Sequence, residues 1–469
     1  MRRALCWIRR DLRLSDHVAL CEATHQADGV AVVFIFDTNI LSELKDRNDR
    51  RLTFIHESLV ELDAKLKQHG SRLIVRHGDP IEEIPNLVRL LDADALFTNR
   101  DYEPYGVDRD RKIAQLLGEE NFHSFKDMIV LEPQEVAKAD GQPFHVFSPF
   151  QRCWWGCLDE ARDLAEHRPN LRRLMPAAEL AGLVTDWRLD RLGFEAAELW
   201  LEAGEDAAKQ RLRAFQPKMK DYGTARNLPA EHGASGLSVH LRFGTISIRE
   251  CFRRALDEGS NGASKWASEL IWREFYQHIL FHYPEVVSEP FQSSMRGIAY
   301  PENEAGWKAW VSGETGYPIV DAAMRAFGAT GYMHNRLRMI AASFLTKDLL
   351  IDYRRGEAYF ARYLLDFELG SNNGGWQWSA STGVDPNPWF RIFNPVLQGE
   401  KFDPKGEFVK EWLPELKGLD EKWIHKPWEA PEFDLLTADV RLGENYPKPI
   451  VDHQESRTRA LAFLKSAKR

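Results

Sequence analysis

Up to about residue 130 the chain alternates short apolar runs with longer segments of helical period. ALCWI (4–8), VAVVFIFD (30–37), SRLIVRHGD (71–79) and DALFTNRD (94–101) are rich in β-branched residues and have strand length. Between the second and third lies RRLTFIHESLVELDAKLKQHG (50–70), whose apolar residues recur at helical spacing. Strands alternating with helices predict a doubly wound, Rossmann-like α/β domain over 1–130, with a parallel sheet covered on both faces. No GxGxxG follows the first strand, so a dinucleotide fingerprint is not indicated; ligands of such sheets are still expected at the carboxyl ends of the strands. From 131 to 205 the pattern loosens around Pro133, Pro143, Pro149, Pro169 and Pro176, which predicts an interdomain connector. From 206 to 469 the period is helical, most clearly in WASELIWREFYQHILFHY (266–283) and NRLRMIAASFLTKDLLIDY (335–353). This predicts an all-α domain that closes on RTRALAFLKSAKR (457–469), an amphipathic helix with a basic end.

Composition changes this picture little. Of the 469 residues, 43% are hydrophobic and 28% charged, as in an ordinary globular chain, and the length calls for two or more domains. No run is apolar enough to span a bilayer, and charge returns at Arg9 before a signal-peptide core could form. With only five cysteines, a reduced cytoplasmic setting is expected, and a monomer. Cys153 and Cys157 are one helical turn apart without a further Cys or His pair, so no metal site is expected. The net charge of −9 argues against a protein that coats nucleic acid without specificity, but a few arginines suffice for a local phosphate-binding groove. Most of the tryptophans lie after residue 265, which points to stacking chemistry or a large core in the second half.

Four segments carry candidate chemistry. In WASELIWREFY (266–276), Glu269, Trp272, Arg273 and Tyr276 share one helical face, too polar for a core face and suited to a base-like ligand. In MHNRLRM (333–339), Asn335, Arg338 and Met339 share a face, and Arg336 points elsewhere, toward a phosphate. EHGASGLSVHLRFG (231–244) gathers small residues and hydroxyls before a helix, where backbone N–H groups suit an anion; Tyr222 and Arg226 lie just upstream. LLDFELGSNNGGWQW (364–378) combines Asp366, Glu368, three amides, three glycines and two tryptophans, a set able to surround a heterocycle. Each segment also has a plain structural reading: a salt-bridged helix face, a capped turn, a core.

Together these stretches resemble the DNA photolyase and cryptochrome family, most nearly its bacterial class I members acting on cyclobutane pyrimidine dimers. The likeness rests on RRDLRLSDH (9–17), GASGLS (233–238), TGYPIVDAAMR (315–325), HNRLRM (334–339), ASFLTKDLLID (342–352), NNGGWQW (372–378) and FRIFNP (390–395). It implies FAD in the helical domain, an antenna chromophore in the α/β domain, and light-driven dimer splitting in damaged DNA. By resemblance, Tyr222, Ala234, Ser235, Gly236, Leu237, Ser238, Trp266, Arg273, Asn335, Arg338, Asp366, Glu368 and Asn372 hold the flavin, with Asn372 facing its reactive nitrogen. Glu269, Trp272, Met339 and Trp378 line the dimer pocket and, with Asn372, carry the chemistry. Arg226, Arg273, Tyr276, Asn335 and Arg336 join Glu269, Trp272 and Trp378 at the DNA. Family members that repair (6-4) photoproducts carry histidines at the positions of Asn335 and Met339, so the resemblance favours cyclobutane dimers. The alternative within the family is a cryptochrome, a blue-light signalling protein.

The chain also departs from the family pattern. Electrons usually reach the flavin through three tryptophans, which here fall on Trp376, Tyr353 and Tyr300; Trp307, Trp310 and Trp389 are available substitutes. Ala234 replaces a hydroxyl residue, Glu368 an aspartate and Tyr332 a tryptophan. The stretch DYEPYGVDRD (101–110) resembles members with a deazaflavin or second-flavin antenna rather than a folate, with Phe36, Arg51 and Asp101 expected at that pocket.

Overall fold

A computed structural model describes residues 1–467. The sheet has five parallel strands: β1 (Arg3–Ile8), β2 (Gly29–Asp37), β3 (Leu73–Gly78), β4 (Ala95–Asn99) and β5 (Phe122–Phe125), in the order β3-β2-β1-β4-β5. β1 pairs with β2 from Arg3↔Gly29 to Ile8↔Phe34, and with β4 from Ala4↔Ala95 to Trp7↔Thr98. Four of the strands are the apolar runs expected, and they read as continuous because helices cover both faces. β5, FHSF, was not anticipated; it is a four-residue edge strand, half-buried and without a β-branched residue. The helix Arg50–Gln68 follows its apolar period and is capped by Asp49, whose side chain accepts from Arg51 N.

The chain forms two compact units, and they divide it at other points than 130 and 205. The first comprises Met1–Lys220 and Ser235–Pro284, the second Asp221–Ala234 and Glu285–Arg469. Two buried charged clusters explain why the connector and the helices after 235 belong with the sheet. Asp127 accepts two hydrogen bonds from Arg13 Nη2, at 2.8 and 2.7 Å, and one from Arg249 Nη2 at 2.7 Å. Arg249 also reaches Asp16, at 3.1 Å, and all four residues are buried. Glu274, in the helix Asn261–His282, accepts from Val130 N at 2.6 Å and Trp154 Nε1 at 2.6 Å. Buried charges hold only where such partners meet them. RRDLRLSDH (9–17) thus works as a staple between the sheet and the helix Ile248–Glu258.

The second unit is helical around one core that includes Trp310, Phe327, Tyr353, Phe360 and Trp376. TGYPIVDAAMR (315–325) is structural there. Asp321, fully buried in the helix Pro318–Thr330, accepts from Thr315 N, Thr315 Oγ1, Gly316 N and Tyr446 Oη. Gly316 has φ +78°, and a Cβ would lie 2.5 Å from the Lys448–Pro449 backbone, so glycine is required. The last helix runs His453–Ala467; Lys468 and Arg469 of its expected basic end lie outside the described residues. Among the described residues no helix is long and apolar enough to cross a membrane.

Burial raises Glu274 from its ordinary 4.5 to about 7, because desolvation outweighs its hydrogen-bond donors. Between those values the folded protein keeps a proton that the unfolded chain has released, so this group's contribution to stability falls as pH rises through the window. The full difference is about 3 kcal/mol. Glu274→Gln keeps an acceptor oxygen and removes the ionisation. Thermal melts at pH 5 and pH 7.5 should show a smaller loss for the variant than for the parent; parallel losses would refute the assignment.

Candidate functional site

In the first unit the helix Asn261–His282 starts at Ser260, whose hydroxyl accepts from Ala263 N. From Trp266 to Leu280 every residue is buried except Glu269, Trp272, Arg273 and Tyr276, the four predicted to share a face. A helix enclosed on all other sides thus leaves one half-open stripe with a carboxylate, a guanidinium and two aromatic rings. The Trp272 ring is held by Phe147, stacked at 3.7 Å between centroids and 9° between planes. Arg273 donates from Nη1 to Met128 O at 2.6 Å. Trp266 is inside the unit, 2% exposed and edge-on to Phe215, so it supports the stripe from beneath.

The loop before the helix Ser238–Phe243 has Ser235 Oγ accepting from Leu237 N, and Gly236 at φ +63°. A Cβ on Gly236 would meet Arg211 Nη1 at 2.5 Å, an approach only glycine allows. The Leu237 side chain is buried, which leaves only its backbone for a ligand; Ser238 is exposed, and Ser235 and Gly236 are half-buried.

The other predicted residues lie in the second unit. Tyr222 is buried and Ala234 half-buried; the Arg226 guanidinium sits 5.5 Å from the Tyr222 ring. In the helix Asn335–Ser343, Asn335 is exposed and Met339 half-buried, its Sδ 3.9 Å from both Asn335 Nδ2 and Arg336 Nη1. Arg338 makes a two-oxygen ion pair with the buried Asp366, at 3.0 and 2.8 Å, and donates from Nε to Met333 O. Arg336, besides its contact with Met339, donates to Asn227 Oδ1 at 2.6 Å and covers the Phe402 ring at 4.2 Å. Burial lowers its pKa, and the charges of Arg226 and Arg391 lower it further. Three arginines therefore share one field. Sequence reasoning passed over Arg391, although it stands inside FRIFNP, because nothing local distinguishes it from a surface arginine.

NNGGWQW lies within the helix Leu369–Ala380, with Gly374 and Gly375 in its interior. Its amides divide their roles. Asn373 Nδ2 donates to Val286 O and to Glu357 Oε1; Gln377 Nε2 donates to Val286 O and Glu289 O, and its Oε1 accepts from Phe291 N. Those two fasten the helix to the 286–291 segment. Asn372 Nδ2 donates to Glu357 O at 3.2 Å, which leaves Oδ1 as an acceptor for a ligand. Glu368, buried at the helix start, accepts from Ser371 Oγ. Trp378 is half-buried against the core, and Trp376 is buried with its ring against Gly356. Of the other two relay positions, Tyr353 is buried and Tyr300 is half-buried against Phe463. Within the second unit, Asn372 Oδ1 and the Arg338–Asp366 pair supply the acceptor and donor groups that suit a flavin's mixed polar edge.

The expected antenna residues do not form a comparable set. Phe36 is buried edge-on against Phe34, and Arg51 is held by Asp49 at 2.9 Å. Asp101 is kept at about 2 by Arg10, Arg9 and Arg109 against the cost of burial. Tyr105 donates to Asp37 at 2.7 Å. Among the described residues no group of three His, Cys, Asp or Glu side chains is placed to hold a metal ion.

Residues 266–466 match the family model for the FAD binding domain of DNA photolyase, and residues 4–170 match that for DNA photolyase. The chain belongs to the DNA photolyase family. The deoxyribodipyrimidine photo-lyase of Synechococcus sp. is 40% identical, over 96% of this chain and 93% of that protein. The crystal structure of a bacterial class III photolyase from Agrobacterium tumefaciens superposes with a TM-score of 0.92 at 37% identity, covering 100% of this chain and 98% of that one. An archaeal photolyase from Sulfolobus tokodaii, solved with two FAD molecules, gives 0.82 at 32% identity, over 99% of this chain and 100% of that one. Within the DNA photolyase frame RRDLRLSDH and TGYPIVDAAMR hold the fold, whereas WASELIWREFY and HNRLRM leave polar and aromatic groups half-buried or exposed.

Gly356 tests how tightly the Asn372 helix is seated. A Cβ there would lie 2.2 Å from the Trp376 ring. Gly356→Ala should cost about 1–3 kcal/mol in thermal or denaturant unfolding and lower the FAD content of the purified protein. Unchanged stability and flavin content would show that the ring yields freely.

Proposed function

We propose that this photolyase-family chain is a light-driven lyase that splits cyclobutane pyrimidine dimers in DNA, with FAD as its cofactor. The observation that carries this reading is the half-open Glu269–Trp272–Arg273–Tyr276 stripe on an otherwise buried helix. The flavin, when bound and reduced, supplies the light-absorbing electron donor. Asn372 Oδ1 would accept its ring N–H; Arg338–Asp366, Arg273, Tyr222, Trp266, Asn335, Glu368 and the 234–238 loop complete its proposed binding set.

The chain's own groups suit the damaged bases. Trp272, fixed in plane by Phe147, offers a flat apolar surface on which a base stacks, and Trp378 offers another. Glu269 can accept an N3–H from a pyrimidine, or share a proton with it when protonated. Met339 provides a soft contact shaped by its neighbours. Lesion bases stack poorly, so drawing them out of the duplex costs only a few kcal/mol, as for other enzymes that act on flipped bases. Arg226, Arg336 and Arg391 would neutralise the flanking phosphates, which relieves their mutual repulsion. We place the protein in the cytoplasm as a monomer, a reading supported by five free thiols. A deazaflavin or second flavin is the antenna proposed for the first unit, with Phe36, Arg51 and Asp101 as its expected contacts; the absorption spectrum of purified protein reads its presence directly.

Chemically reduced protein, mixed with a duplex carrying one thymine cyclobutane dimer, should restore thymine absorbance in blue light and not in darkness. No recovery would shift the reading to a signalling cryptochrome. Glu269→Ala should lower repair yield about tenfold, the worth of one charged hydrogen bond, with flavin retained; equal quantum yields would exclude the role. Affinity for the damaged duplex should fall with salt by about 0.9 log units per log unit for each phosphate neutralised, and Arg391→Gln should reduce that slope by about one. An unchanged slope would remove Arg391 from the interface.

A further inference from the structure

The geometry points to a second, light-independent chemistry in the first unit: Cys153 and Cys157 form a reversible dithiol site that exchanges with a small disulfide and, when closed, loosens the support of the aromatic stripe. This goes beyond the lyase reading and does not depend on it.

Of the five cysteines, Cys6, Cys21 and Cys251 are buried, and burial raises all three thiols. Thiols so placed are inert. The other two are half-exposed. They lie one turn apart in the helix Phe147–Cys157, and their sulfurs are in contact, with Sγ atoms 3.8 Å apart. Cys153 Sγ also donates to Ala137 O at 3.5 Å. The residues that follow Ala137 form an exposed turn closed by Lys138 N donating to Gln142 O, so a solute reaches the pair from the surface.

The two sulfurs are not equivalent. Burial raises the Cys153 thiol, and the neighbouring Cys157 sulfur raises it further, so Cys153 keeps its proton. Cys157, the last residue of the helix, is then the sulfur that attacks. Its thiolate opens the small disulfide, forms a mixed disulfide and expels one half as a thiolate. Cys153 next attacks Cys157 Sγ and expels the other half. Each cysteine's proton ends on one of the expelled thiols. Two cysteines lose two electrons, and one external disulfide gains them.

Closing the bridge costs helical geometry. Residues four apart have Cα atoms about 6 Å apart, within the span of a disulfide, but Cβ atoms about 5–6 Å apart, against the roughly 4 Å a disulfide needs. The last turn must therefore move. Cys157 ends that turn, and Gly156 before it is exposed, with no atom within 4 Å of where a Cβ would stand. A bridge strained in this way is also the more easily reduced, which suits a transient bond in a reducing compartment.

Trp154 lies between the two cysteines. Its Nε1 donates to the buried Glu274 at 2.6 Å, and its ring stacks on Phe252 at 4.9 Å. Phe147, at the start of the same helix, stacks on Trp272 at 3.7 Å. Moving the turn around Trp154 draws away a donor that Glu274 depends on and disturbs the helix that holds Trp272 in plane.

The test uses the full-length protein with its FAD, equilibrated in glutathione buffers from reducing to oxidising, alkylated and mapped by mass spectrometry. Oxidation should yield the tryptic peptide 153–162 two hydrogens lighter, restored by dithiothreitol, with Cys6, Cys21 and Cys251 still free. Cys153→Ser should stop at a glutathione adduct on Cys157. Cys157→Ser should react about tenfold more slowly, because the attacking sulfur is gone. Amide hydrogen exchange of the closed parent should quicken about tenfold at 154–158 and 269–276, and recover on reduction. Where Cys153→Ser folds poorly, shown by its far-ultraviolet circular dichroism, Cys157→Ser at the helix end decides. All five thiols remaining free in the oxidising buffer, glutathione held on both cysteines without a bridge, or equal rates for the parent and Cys157→Ser overturns the site. A bridge that forms while exchange at 269–276 stays unchanged overturns its link to the stripe.

Discussion

Glu274 has no water to hold its charge, and the partners it finds instead organise the half-molecule around it. The amides of Val130 and Leu131 and the indole N–H of Trp154 all converge on this one carboxylate. They come from the end of the sheet domain and from the helix Phe147–Cys157. The same helix carries Phe147, on which Trp272 stacks. Setting a carboxylate in the interior therefore fixes the segment that aims the aromatic stripe, one residue away from it on the opposite face of the same helix. The Arg13–Asp127–Arg249–Asp16 cluster does similar work at the other end of the unit, and removing either partner of such a pair leaves an uncompensated charge.

The second unit solves a different problem with neutral groups. A helix containing three glycines and two tryptophans has little intrinsic preference to form. Asn373 and Gln377, one turn apart, tie it to backbone carbonyls of the 286–291 segment, and Gly356 admits the Trp376 ring. Only then does Asn372 present an amide oxygen in a set orientation. Asn373, Trp376 and Gln377 thus seat the helix, and Asn372 depends on them for its placement.

Much was legible from local pattern. Periodicity placed four of the five strands and the helix Asn261–His282, because an apolar run buried on both faces, or a stripe at i, i+3, i+4 and i+7, records its own surroundings. The motifs carried the family. Other features were beyond local reading. β5 is too short and polar to announce itself, and its pairing depends on β4 already being in place. The division of the chain follows from Glu274 and Arg249 meeting partners more than a hundred residues away. The separate duties of Asn372 and Asn373, the engagement of Arg51 and Asp101 within their own unit, the place of Arg391 beside Arg336, and the contact of Trp310 with Trp376 were likewise decided by tertiary structure. By itself the sequence determined which elements form and which chemistry is available. Which side chain faces a ligand, which is spent on packing and which ring touches which depend on distances between segments remote in the chain, and only folding sets those.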